Sequence, residues 1–157
     1  MNLKAIPSGY SSVTPYLIVE GATEAIEFYK QVFGATERMR LPMPGGKIAH
    51  AEIQIGDSVV MLADQPTGPT AGRLKSPNAV DGTAVIIHLY IEDVDSVMEK
   101  ATKAGAKQVR PVANQFYGDR SGIFTDPFGH VWNVATHVED LSPEEMEKRM
   151  AELSKRS

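Results

Sequence analysis

The chain has 157 residues, 42% of them apolar, and 16 Lys and Arg against 20 Asp and Glu give a formal net charge of −4. This length suits one domain with one core, and the charge, with no Lys/Arg-dense run, argues against a nucleic-acid or anionic-membrane partner. There is no cysteine, which excludes disulfides and thiolate chemistry.

Residues 1–12 lack the apolar stretch of a secretory signal and read as a loosely held arm. No apolar run approaches the roughly 18 residues of a membrane span, so a cytoplasmic location is expected. Val13 to Val19 reads as a strand, with Pro15 placing it at an edge or a strand start. Thr14, Tyr16 and Ile18 share one face of it; Val13, Leu17 and Val19 share the other. Ala22 to Phe33 is a helix with Ala25, Ile26, Tyr29, Val32 and Phe33 on its apolar stripe, and Gly34 sits where a C-cap belongs. Glu37 to Leu41 is a short strand and Pro42 to Gly46 a turn. From Ile48 to Ile55 the pattern alternates, with His50, Glu52 and Gln54 on one face and Ala49, Ala51, Ile53 and Ile55 on the other. A Gly56-Asp57-Ser58 turn leads into a strand ending near Ala63. Residues 65–82 carry three Pro and three Gly without periodicity and read as a long lid or binding loop.

Ala84 to Ile91 is the next strand, with Val85, Ile87, Leu89 and Ile91 toward the helices and Ala84, Ile86, His88 and Tyr90 away from them. Val94 to Ala104 is a helix and Val109 to Val112 a short strand. Ala113 to Gly122 reads as a loop. Ile123 to Thr136 is a hairpin, in which Asp126 bonds its own backbone, Pro127 fixes φ and Gly129 takes the positive φ that closes the turn. Ser142 to Glu145 is a capping box with Pro143 at the first helical position. The helix that follows runs to about residue 154, and its narrow stripe of Met146, Met150 and Leu153 must pack on the body or on a partner.

Two segments repeat. Tyr16 to Tyr29 aligns without gaps on His88 to Ala101, and Val59 to Ala63 falls on Val131 to Ala135. Each copy, about 13–64 and 84–137, runs strand, helix, three strands. Two copies are too few for a solenoid, so one pseudo-symmetric domain is expected.

The paired modules, the IEFY sequence of the first helix, GDSVVMLAD, HLYIEDVD, the QFYGDR segment and DPFGHVWNVATH together resemble the vicinal oxygen chelate superfamily over roughly Ser12 to Leu141. Within its glyoxalase/bleomycin-resistance group they look most like the PhnB-like branch. The resemblance implies an α+β fold: two tandem βαβββ modules forming a curled mixed sheet around one cavity, here with a C-terminal helix added. It also implies a homodimer. Metal-dependent members hold a divalent ion on four side chains of the concave strands, and alignment puts those positions at Thr14, Met61, Ile86 and Asn133. Met61 and Ile86 do not ligate a hard divalent ion, so no metal cofactor is expected. The alternative is a divalent metal at a displaced site on His50, Glu52 and His88.

Alternation places Tyr16, His50, Glu52, Gln54, His88, Tyr90 and Asn133 on the concave side, a polar stripe that a purely structural core does not need. His50, Glu52 and His88 are the candidates for acid–base work. Phe116, Tyr117 and Arg120 have two readings. In one, the aromatics cover the cavity mouth and Arg120 meets an anionic ligand; in the other, Asp119 and Arg120 are a surface pair and the aromatics plug the barrel end. His130 is expected exposed in its turn, His137 structural and Trp132 in the core. The leading functional expectation is a metal-free protein that binds a small molecule. A lyase, isomerase or dioxygenase using a metal or acid–base chemistry is the alternative, and a purely structural dimer module is a third.

Overall fold

Alternating strands with one apolar face must bury that face against helices, and both copies do so. A computed structural model describes residues 2–156. The first copy contributes β1 (Tyr16–Val19), α1 (Ala22–Phe33), β2 (Thr36–Pro42), β3 (Ile48–Ile55) and β4 (Ser58–Asp64). A short helix, α2 (Pro77–Val80), follows. The second copy contributes β5 (Ile86–Tyr90), α3 (Val94–Lys103), β6 (Lys107–Asn114), β7 (Asp119–Thr125) and β8 (Val131–His137). The last helix is α4 (Pro143–Arg156). The strands form two separate four-stranded mixed sheets, β1-β4-β3-β2 and β5-β8-β7-β6. In each, the first strand returns through a helix to pair in parallel with the last, and the other pairs are antiparallel. This is the expected α+β pair of βαβββ modules with a C-terminal helix, and its sheets do not close into one barrel. Among the described residues no helix is long and apolar enough to cross a membrane.

The repeat is visible in the register: Tyr16 stands opposite Met61, and His88 opposite Asn133. Both helix starts are tied to the end of their own sheet. Asp64 accepts from Gly21 N and Ala22 N, and its second oxygen from Ile48 N. At the corresponding place Thr136 Oγ1 accepts from Val94 N.

One core serves both copies. The stripe of α1 carries Phe33 to within 4.7 Å of the Trp132 ring and Tyr29 to 5.5 Å. Asp126 anchors the joint. Its Oδ2 accepts from the Tyr29 hydroxyl at 2.5 Å and from Trp132 Nε1 at 2.9 Å, and its Oδ1 from the amides of Phe128 and His130. Burial and the adjacent Asp126 charge push the Tyr29 phenol well above its ordinary pKa. Gly129, at φ 90°, closes the turn, and a Cβ there would stand 2.8 Å from Pro77 Cβ.

Several expectations are corrected. The first strand begins at Tyr16, because Pro15 has no N–H to give the ladder, and Val13 is exposed. Ala49 is not on the core face. A bulge between the pairs Leu41–His50 and Pro42–Ile48 leaves it out of the ladder, which buries Ile48 and turns Ala49 outward. Residues 65–82 are not structureless. Ser76 caps α2 through Ala79 N, its hydroxyl donates to Glu20, and its own N–H is taken by Gln65. His130 is not free in its turn: Nε2 lies 2.9 Å from the Ile18 carbonyl of the edge strand β1. Strands β6 and β7 extend well into the expected loop and leave only 115–118 between them. The arm, described from residue 2, is held at Tyr10, whose ring lies under the Arg38 guanidinium. On α4, Arg149 binds Glu139, Glu145 and the Phe116 carbonyl, while Met146, Met150 and Leu153 stay partly exposed.

Candidate functional site

The polar face of the first sheet joins four side chains in a chain of contacts. Glu52 is 3% exposed, on the central strand β3. The Tyr10 hydroxyl donates to both its oxygens, at 2.8 and 2.6 Å. His50 Nε2 lies 3.6 Å from Glu52 Oε1, and His50 Nδ1 lies 2.8 Å from the Tyr16 hydroxyl. A neutral His50 protonated on Nε2 fits both neighbours: Nε2–H points at the carboxylate and Nδ1 accepts from Tyr16. Tyr16 is thereby linked to a buried carboxylate through an imidazole. The phenols respond to that charge. The hydrogen bond to Glu52 raises the Tyr10 pKa; burial and then the Glu52 charge raise that of Tyr16. No Lys or Arg pairs with Glu52 among the described residues.

Beside Tyr16 opens a cavity of about 430 Å³. Ile18 and Ala63 supply its strand wall, Met43 comes from the β2–β3 turn, and Pro66 and Leu74 come from the long loop. The loop therefore does line a cavity. Asp64 also borders it, but its oxygens are taken by the three backbone amides named above.

The second sheet holds a different set. His88 Nδ1 lies 3.1 Å from Asn133 Nδ2, and the rings of His88 and Tyr90 are 4.7 Å apart. The Tyr90 hydroxyl donates to the buried Asp119 at 2.8 Å, which raises the Tyr90 pKa. Asp119 also meets His137 Nδ1 at 2.8 Å, and His137 Nε2 meets Asp140 at 2.7 Å. Only an imidazolium donates from both nitrogens, and Asp140 and then Asp119 raise the His137 pKa accordingly. Arg110 donates to Ser121 and Asn133.

The expected residues thus fall into two clusters. Tyr16, His50 and Glu52 meet on the first sheet; His88, Tyr90 and Asn133 meet on the second, with Tyr117 3.4 Å from Ser121. Among the described residues no hydrogen bond, ion pair or ring contact joins the two clusters. Gln54 is engaged with Arg38 and the Gly56 carbonyl. Two further residues lie apart from both clusters. Phe116 shares a groove with Met146 and Met150 of α4. Arg120 alternates to the helix side of β7, where Asp95 of α3 takes it at 2.8 Å through two oxygens. Tyr10, Arg110 and Ser121 were not anticipated, and Asp119, expected as a surface partner of Arg120, is buried and takes Tyr90 and His137 instead. Asp119, Ser121 and Ile123 alternate along one face of β7, a period-two signal hidden by reading 113–122 as loop. Tyr10 lies in a segment without periodicity and gives no such signal.

The four positions aligned with a metal site carry a hydroxyl, a thioether, a hydrocarbon and an amide at Thr14, Met61, Ile86 and Asn133. That donor set does not fit a hard divalent ion. His50 and Glu52 are neighbours, but His88 belongs to the other cluster, so these three do not converge on a displaced site.

A family model described as the Glyoxalase/Bleomycin resistance protein/Dioxygenase superfamily matches residues 11–134. An uncharacterised protein of Mycobacterium tuberculosis is 38% identical over 140 residues, 89% of this chain and 82% of its own. TioX from Micromonospora is similar in structure, with a TM-score of 0.62 at 25% identity over 84% of this chain and 100% of its own. A PhnB protein from Bacillus cereus, described as a putative 3-demethylubiquinone-9 3-methyltransferase, has the same fold, with a TM-score of 0.62 at 18% identity over 80% of this chain and 99% of its own. With that match over most of its length, the chain belongs to the Glyoxalase/Bleomycin resistance protein/Dioxygenase superfamily.

Proposed function

We propose that the chain binds a small molecule, without a metal, in the cavity on its first sheet. The observation that carries this is a largely apolar cavity with Tyr16 on its wall, a residue whose hydroxyl is backed by His50 and Glu52. Apolar walls with a few convergent polar groups are the usual form of a ligand site. The carboxylates of Asp64 at its border and of Glu52 behind Tyr16 favour a neutral or cationic ligand with an apolar body. Within the superfamily the QFYGDR and DPFGHVWNVATH motifs support the PhnB-like branch. The protein acts as a homodimer in this reading: the stripe of Met146, Met150 and Leu153 on α4 is left partly exposed, and a second copy removes it from water.

The linked Tyr16, His50 and Glu52 support a second reading, an acid–base lyase or isomerase. There Glu52 takes a proton through His50, and the Tyr16 oxygen exchanges it with the substrate. A thermal-shift screen of small neutral and cationic compounds separates the readings. Leu74→Asp should abolish the stabilisation in either case. Tyr16→Phe keeps the wall and should leave most of the affinity if the protein only binds, but should remove turnover of the same compound if it catalyses. A screen hit that is indifferent to Leu74→Asp counts against the cavity altogether.

A further inference from the structure

The second sheet carries a cation that nothing on it neutralises. Arg110 is half-buried on β6, between two irregularities of its ladder. Its Nη2 donates to Ser121 Oγ at 2.8 Å and to Asn133 Oδ1 at 3.4 Å. Its Nε is buried without a partner, and Nη1 has no protein acceptor. Among the described residues no carboxylate pairs with it. The acid on this face, Asp119, is already closed off by Tyr90 and His137.

Asn133 fixes a second donor. Because its Oδ1 accepts from Arg110, its Nδ2 is the atom facing His88 Nδ1. An amide N–H only donates, so Nδ1 is the acceptor and the ring hydrogen of neutral His88 sits on Nε2. His88 is exposed, and its Nε2 has no partner among the described residues. The two unused donors, Arg110 Nη1 and His88 Nε2, therefore flank one asparagine, and a hydroxyl of Tyr117 stands beside Ser121. Half-buried charges are normally paired, and a group of donors without a carboxylate partner selects an oxyanion. We propose that Arg110, Asn133 and His88 form an oxyanion site on the second sheet, taking the carboxylate or phosphate group of a small molecule. The site is independent of the cavity on the first sheet.

The test is a titration of the ¹⁵N-labelled full-length protein with sodium benzoate, inorganic phosphate and benzamide at constant ionic strength. Saturable shifts at Ser121, Asn133 and His88 are expected with at least one anion and not with benzamide. Saturation by benzoate alone assigns a carboxylate; by phosphate alone, a phosphate; by both, either group. Arg110→Gln should weaken the response about tenfold or more, since a charge-assisted bond is lost. His88→Ala, at an exposed position that does not threaten the fold, should weaken it at least about threefold through loss of one donor. Absence of saturation with both anions, an equal response to benzamide, or unchanged affinity in either variant overturns the proposal.

Discussion

Asp126 joins the copies, and its replacement should cost more than its volume suggests. Tyr29→Phe removes one donor to a carboxylate that keeps three. A hydrogen bond to a charged group contributes about 1.5–3 kcal/mol. For a chain of this size about 2–4 °C of Tm accompanies each kcal/mol, so a fall of about 3–12 °C is expected. Asp126→Asn is nearly isosteric but worse. One carboxylate oxygen faces the Tyr29 hydroxyl and the Trp132 N–H; the other faces two backbone amides. Whichever way the amide turns, its NH₂ meets at least one donor that has no other acceptor. At least two charged bonds are lost, about 3–6 kcal/mol, a large part of the roughly 5–15 kcal/mol that holds such a domain together. Trp132 is the only tryptophan and is buried at the joint, so its fluorescence in a urea titration reports the transition directly. The reasoning is refuted if Asp126→Asn costs less than Tyr29→Phe, or if either changes stability by under about 0.5 kcal/mol, the ordinary scatter of a surface change.

Glu52→Gln should bring the Tyr10 phenol down from its raised pKa toward the ordinary value of 10.0, because the carboxylate that opposes its ionisation is gone; ¹³C-labelled tyrosine NMR reads this, and an unmoved titration removes the Tyr10–Glu52 bond. His137 has its pKa raised above 6.5 by Asp140 and Asp119. Its contribution is therefore fully present below that value and lost as pH rises through the raised one, so the stability advantage over His137→Gln should be larger near about pH 5 than near about pH 9. The opposite slope, or none, contradicts the assignment. Elemental analysis of protein purified without chelator should find less than about 0.2 equivalents of Zn, Ni, Mn or Fe, given the donors at Thr14, Met61, Ile86 and Asn133; stoichiometric metal reverses that reading. Sedimentation at micromolar concentration should show a dimer, with an interface above about 1,200 Å² in total, and a monomer alone excludes it.

Most of the architecture was legible because it rests on local rules. Gly34, Gly129 and the stripe of Ala22 to Phe33 each state a geometry that the fold then uses. The alternation of Ile48 to Ile55 placed His50 and Glu52 together, but it failed at Ala49, where a bulge inverts the face. A bulge depends on the partner strand, which no single window of sequence contains. Val109 to Val112 is too short a reading of the strand: Pro111 lies within β6 (Lys107–Asn114), an edge strand, which tolerates a missing N–H. The site was half legible for the same reason. Alternation says which face a residue takes and not how far apart two faces lie, so Tyr16 and His88 were read as one site and stand on separate sheets. Tyr10 and Arg120 are decided by long-range partners, Glu52 and Asp95, that periodicity cannot reveal.

The repeat also explains why kinship within the superfamily leaves the ligand open. The same ladder positions carry opposite chemistry in the two copies. On the first sheet Glu52 stands opposite Met39; on the second the matching pair is Ile123 opposite Arg110. The acid of the first copy is a hydrocarbon in the second, and the thioether of the first is a cation in the second. The central positions diverge as well, with Met61 beside Tyr16 in one and Asn133 beside His88 in the other. Exchanging these residues costs the scaffold little, because they lie on the faces away from the shared aromatic core of Tyr29, Phe33 and Trp132. The core is conserved in role by packing, while each open face is free to change its charge. A buried acid without a basic partner repels anions, and a half-buried guanidinium without an acidic one attracts them. The two sheets should therefore sort ligands by charge, a neutral or cationic apolar molecule on the first and an oxyanion on the second. Removing the charges, with Glu52→Gln on one sheet and Arg110→Gln on the other, should alter each preference separately without coupling, since among the described residues no hydrogen bond, ion pair or ring contact joins the clusters.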